Sequence, residues 1–206
     1  TFGDLNGKGG IGPREDSALN VTLNVADGAQ LLNVAGFAGE LAGVGIDNVQ
    51  INLAEGLDKN QNYNAELRDL LNGEGTVSLD EQLKAIRAGG LDVTTIDLGG
   101  ADGGKLTLSE MQATQLIDAG LSFADNDTIN LDVDTAASTH LSTSLKDLQK
   151  LGVDAISVAG NIDTVSLDLG SGAFQTQADG NFVTFQSNTD LDVTLNAAGE
   201  QGAVDA

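Results

Sequence analysis

Leu148-Gln-Lys-Leu-Gly-Val-Asp-Ala-Ile-Ser-Val-Ala-Gly-Asn-Ile-Asp-Thr-Val-Ser-Leu-Asp-Leu169 is the stretch whose reading decides the fold. Leu145, Leu148 and Leu151 recur at helical spacing and give one narrow apolar stripe. Gly152 follows, a residue able to take the left-handed conformation that ends a helix. Val165, Leu167 and Leu169 then alternate with Ser166 and Asp168, which is the period of a half-buried strand. The same grammar governs Leu41 to Leu53, Ile86 to Leu98 and Leu116 to Val133, which pivot on Gly45, Gly90 and Gly120. The four glycines are separated by 45, 30 and 32 residues, and the last two intervals fall in the range of repeat architectures. The longer first interval contains an insertion over 54–75, read as a polar loop, Asp58 to Asn64, and a short helix through Glu66 to Leu71.

Start signals precede the later glycines. Ser78-Leu-Asp-Glu81 and Thr107-Leu-Ser-Glu110 both match the capping box, in which a hydroxyl accepts from the third helical N–H and the acid reaches back. Ile129, Leu131 and Val133 alternate with Asn130, Asp132 and Asp134. Similar alternation at Leu19, Val21, Leu23 and Val25, and at Leu191, Val193 and Leu195, predicts strands at the two ends of a sheet. A strand, a helix and a strand in about 30 residues has the length of a βαβ unit. The expected fold is therefore α/β: repetitive strand–helix units in a solenoid-like, largely parallel sheet, with short helices on one side and β-rich ends. Buried parallel strands usually read as continuous apolar runs, whereas these alternate. Their polar face is then exposed, as in a single-layered solenoid, or the strands pair antiparallel; a mainly-β sandwich or β-solenoid is the alternative. Residues 170–185, with an Ala178-Asp-Gly-Asn turn, read as a capping β-hairpin. The expected organisation is one repetitive domain over 1–206, with N-terminal strands and first repeat in 1–53, the insertion in 54–75, repeats in 76–170 and a hairpin cap in 171–206.

Composition narrows the function. The 206 residues are 40% hydrophobic, enough to bury a core, yet six Phe, one Tyr and no Trp leave Leu, Val, Ile and Ala to fill it. A net charge of −22, from 31 acids against nine bases, repels phosphate backbones and anionic headgroups, so neither nucleic acid nor membrane insertion is expected. The absence of Cys excludes disulfides and thiolate metal sites. A chain starting at Thr1 is expected to be a processed or excised segment.

No catalytic residue is assigned. Nucleophilic catalysis needs a base beside the nucleophile, and the single histidine, His140, sits between Ser138 and Ser142 without a Gly-x-Ser-x-Gly elbow; it reads as a solvated loop residue. Paired carboxylates for sugar chemistry lack an aromatic platform, and Gly99-Gly-Ala-Asp-Gly-Gly104 lacks the Lys-Ser/Thr of a phosphate-binding loop. Calcium is the candidate cofactor, because hard cations want several oxygen ligands and Asp and Asn cluster in turns here. Asp4, Asn6 and Glu15 match the first, third and twelfth positions of an EF-hand loop, although Lys8 occupies a ligand position. Leu70 to Glu81 repeats the pattern with Leu70 in place of the first acid, and a polar turn with a capped helix explains it better. Asp125 and Asp127 precede a strand whose wet face carries Asp132 and Asp134, so these four join Asp4, Asn6 and Glu15 as candidate metal ligands, against the plainer reading of a solvated acidic face.

Leu148 to Ile156 with Thr164 to Leu169, and Leu106 to Glu110 with Ala119 to Thr128, resemble repeats of giant exported bacterial surface proteins, the adhesins and haemolysin-type calcium-binding proteins. The resemblance covers about residues 76–170. It implies secretion, an extracellular or cell-surface location, calcium in the medium, and roles in attachment or biofilm matrix. Gly99-Gly-Ala-Asp102 departs from the calcium β-roll nonapeptide after its second Gly. The expected function is a self-assembling structural module of a surface layer, fibre or matrix, a homo-oligomer or polymer joined through edge strands. The alternative is an adhesin domain holding glycan or a surface protein, through the insertion around Asn60 to Tyr63 or near Phe182 and Phe185.

Overall fold

A computed structural model describes residues 21–53, 63–99, 103–133, 140–141, 143–158, 164–168, 184–187 and 192–196; for 140–141 and everything after 158 it describes the backbone alone. The chain divides into two compact units, residues 1–97 and 98–206, a boundary that falls inside the 76–170 stretch.

The first unit contains β1 (Thr22–Val25), α1 (Gly28–Gly43), β2 (Asn48–Asn52), α2 (Tyr63–Asn72), α3 (Leu79–Ala88) and β3 (Asp92–Asp97). β1, β2 and β3 lie side by side and parallel, with Leu23 against Val49 against Val93 and Val25 against Ile51 against Ile96. The register shifts between Val49 and Gln50, so that Gln50 stands against Thr95. The inward row of Val25, Val49, Ile51, Val93 and Ile96 is buried together with Leu31, Val34 and Ala38 of α1, Leu67 and Leu70 of α2, and Leu83 and Ile86 of α3. The expected strand at Leu19 to Val25 is shorter than its alternation: it begins at Thr22, and Val21 is exposed. α1 is a 16-residue helix, although only its end is legible from Leu41. Its start is fixed by Asp27, whose carboxylate accepts the Gln30 N–H at 2.7 Å. α1 and α3 pack closely: a Cβ added at Gly89 would run into the Ala38 methyl and lie 2.9 Å from the Ala38 carbonyl carbon and the Gly39 nitrogen.

The second unit contains β4 (Lys105–Ser109), α4 (Glu110–Asp118), β5 (Ser122–Phe123), β6 (Thr128–Val133), β7 (His140–Leu141), α5 (Leu145–Leu151), β8 (Val153–Val158), β9 (Thr164–Asp168), β10 (Thr184–Ser187) and β11 (Asp192–Asn196). β4, β6, β8 and β10 form one parallel ladder, and β7, β9 and β11 another. Leu106, Leu108, Ile129, Leu131, Val133, Val153 and Ile156 are buried with Leu116 of α4 and Leu148 of α5. The polar alternates Lys105, Thr107, Thr128 and Asp132 face solvent.

These ladders are parallel, and the antiparallel Glu74–Val77 bridge lies outside the strands, so antiparallel pairing of these alternating strands is set aside. The protein is mixed α/β, not a mainly-β sandwich. The four glycine corners hold. Gly45, Gly90, Gly120 and Gly152 stand at φ of 90°, 94°, 69° and 95°, and at Gly152 the left-handed turn lets the backbone N–H return to α5 while the next residue enters β8. The Ser78 box forms as expected, with Ser78 Oγ accepting from Glu81 N–H and Glu81 Oε2 accepting from Ser78 N–H. The second box is displaced. Thr107 lies in β4, and the cap is Ser109 with Gln112, because the strand runs into the helix without a loop. His140 is likewise corrected from a loop to the short strand β7, paired at Ser166. The hairpin turn at Ala178 to Asn181 lies outside the described residues; Thr184 and Phe185 pair parallel with Ala155 and Ile156 of β8.

Candidate functional site: the acidic turn and the polar strand face

The turn Ala124-Asp-Asn-Asp127 leads into β6 and closes with Asp127 N–H on the Ala124 carbonyl at 3.0 Å. Asp127 is 6% exposed, and its two carboxylate oxygens point inward. Oδ2 accepts the Leu98 N–H at 3.0 Å and Oδ1 the Gly104 N–H at 2.9 Å. The Gly104 carbonyl in turn accepts from Thr128 N–H at 2.8 Å. Gly103, at φ +68°, lies so close over the turn that a Cβ would collide with the Asn126 carbonyl. One buried carboxylate thus holds both ends of the loop between residues 98 and 104. Charge-assisted hydrogen bonds to backbone donors are the stronger kind, and they satisfy N–H groups that burial would otherwise orphan.

That geometry distributes the candidate metal ligands unevenly. Asp125 is exposed on the turn, and Asp132 is exposed on β6. Five residues of extended chain, at about 3.3 Å each, separate Asp132 from Asp127 by roughly 16 Å. The strand therefore does not bring Asp132 to the turn. Asp4, Asn6, Glu15 and Asp134 lie outside the described residues. Among the described residues no group of three or more His, Asp or Glu side chains is placed to hold a metal ion. In the second EF-hand-like stretch, Leu70 is buried in α2 and Glu81 is engaged in its capping box, which is the polar turn and capped helix of the plainer reading.

On the outward strand face, side chains bond across rungs. Gln50 Nε2 donates to Asp97 Oδ2 at 2.8 Å, Asn130 Nδ2 to Ser157 Oγ at 2.7 Å, and Ile129 N–H to Asp154 Oδ2 at 2.6 Å. These half-buried contacts tie neighbouring parallel strands. Ser138 and Ser142, which would flank a catalytic His140, lie outside the described residues, as do Asn60 to Asn62 and Phe182; Tyr63 opens α2. The sequence reading missed Phe37, which is 61% exposed on α1. The signal was present: from Ala29 to Ile46 the only charged residue is Glu40. Among the described residues no helix is long and apolar enough to cross a membrane. No protein-family model matches the chain, and no curated protein matches it.

Proposed function

We propose that the chain is a non-catalytic, self-assembling structural module of an extracellular bacterial surface layer, fibre or matrix. In this reading the successive strand–helix segments are turns of a solenoid-like stack, each resting on its neighbours. The observation that carries it is the parallel ladder ending in strands paired on one side: β1, β10 and β11 each close a ladder among the described strands. Such an edge presents N–H and C=O groups that template a further strand. Polar and acidic side chains along the strand face keep the stack soluble while leaving its ends to grow. Calcium would act by screening and bridging carboxylates of a chain with net charge −22. The test is light scattering with circular dichroism while calcium is titrated against chelator. Growth in mass at unchanged fold is expected with calcium; a folded monomer in both conditions at high concentration overturns the assembly reading.

A further inference from the structure

We infer that Asn72 is a site of spontaneous covalent modification, where the backbone nitrogen of Gly73 closes on the Asn72 side chain and converts the amide to aspartate or isoaspartate. Asn6-Gly7 and Asn72-Gly73 are the two asparagine–glycine pairs of the sequence, and the second lies within the described residues. Ring closure needs a nitrogen that no adjoining side chain shields and a backbone free to change conformation, and glycine offers both. α2 ends at Asn72, so the Gly73 nitrogen stands just beyond the helix, tied back to the Leu70 carbonyl by a turn bond of 3.0 Å. Bonds in the last turn of a helix are the ones that fray. Asn72 itself is exposed to the water that the reaction needs. Every other asparagine of the described residues is followed by a residue with a Cβ, and Asn33, Asn48 and Asn130 are further held inside α1, β2 and β6.

The chemistry balances with water alone. Hydroxide takes the Gly73 amide proton, the nitrogen attacks Asn72 Cγ, and the side-chain nitrogen leaves as ammonia, taking its protons from water. Water then opens the five-membered imide. Attack at the side-chain carbonyl gives aspartate; attack at the main-chain carbonyl gives isoaspartate, whose backbone runs through Cβ and is one carbon longer. The turn has no room for that carbon. Gly73 stands at φ +76°, and a Cβ there would collide with the Val77 carbonyl oxygen and lie 2.8 Å from Ser78 Cα. Glu74 and Val77 exchange backbone hydrogen bonds of 3.0 and 3.1 Å across the same turn. The start of α1 rests on it, since a Cβ at Gly28 would lie 3.7 Å from Glu74 Cβ and 3.8 Å from the Gly73 carbonyl carbon. Isoaspartate therefore loosens both the α2–α3 connection and the seat of α1. Aspartate only adds a negative charge at the C-terminal end of α2, where the helix dipole disfavours one.

The test holds the full chain in warm, mildly alkaline buffer and maps its peptides by mass spectrometry at intervals, with Asn6→Gln in the background so that the other asparagine–glycine pair stays silent. Asn72 is expected to convert roughly tenfold or more faster than any other described asparagine, and faster still as pH rises. The converted fraction, separated by its added negative charge, is expected to melt below the parent, while Asn72→Gln treated in the same way keeps its melting temperature. Asn72→Asp carries the charge without the longer backbone and is expected to fall less than the isoaspartate fraction. An Asn72 that survives, or converts no faster than the other described asparagines, overturns the proposal. So does an isoaspartate fraction that melts with the parent or with Asn72→Asp. None of these outcomes depends on assembly, so the reading of the chain as a self-assembling module is tested separately.

Discussion

Asp127 is where one side chain does most to set local structure. Its two oxygens take backbone N–H donors from residues 98 and 104, and it is nearly buried. Replacing it by alanine leaves two donors without partners in the interior, at about 1–3 kcal/mol each. Asp127→Ala is therefore expected to lose about 2–4 kcal/mol in urea unfolding, and Asp127→Asn less, since one carbonyl oxygen survives to accept. Equal losses in the two variants would show that the negative charge matters more than the acceptor count. The sequence displays Asp125-Asn-Asp127 as an acidic turn and thereby suggests an ion. What it does not display is that residues 29 and 23 positions upstream return to this carboxylate. Contacts of that separation are set by the ladder, not by the local string, so the residue was legible and its occupation was not.

At the level of elements, local chemistry was largely readable. Capping boxes and left-handed glycines are decided within four or five residues, so Ser78, Gly90 and Gly152 keep the roles that spacing predicts. The second box slipped by two positions because Thr107 and Ser109 both offer a hydroxyl, and only pairing of β4 with β6 places Thr107 inside a strand. Helix capping by Ser109 then makes a direct prediction. Ser109→Ala should cost about 1 kcal/mol in thermal or denaturant unfolding, while Thr107→Ala, an exposed strand position, should cost much less. The reverse order would place the helix start at Thr107. α1 escaped the reading for a different reason. Its glycines at 36, 39 and 43 lower helical propensity, and its apolar residues are not confined to one face, so amphipathic periodicity is faint. Packing against α3 supplies the stability that its propensity lacks.

Taken as a whole, the molecule carries far more acid than it can pair. The pairs of Arg68 with Asp69, Lys84 with Asp80 and Lys150 with Asp147 are all exposed and each worth little. Self-repulsion from a charge of −22 is thus unrelieved at low ionic strength. The melting temperature should rise as salt increases from about 10 mM to about 500 mM, because shortening the Debye length from ~30 Å to a few ångströms screens repulsion more than it weakens exposed pairs of this kind. A fall with salt would mean that ion pairing outweighs repulsion. Composition made this property visible before any fold was known. The parallel direction of the ladders was favoured by unit length, and alternation left it open; what decides it is that polar side chains such as Thr107, Thr128 and Asp132 can remain in water when only one strand face is covered.

The grip of Asp127 on both ends of one loop bears on what that loop can tolerate. Because the carboxylate fixes residues 98 and 104 directly, the placement of β4 does not depend on how many residues span the gap between them. Chain can be spliced in upstream of Gly103, whose close seat over Asn126 must be kept, without shifting the strand that follows. An insertion in this loop is therefore expected to leave the framework beneath as it was.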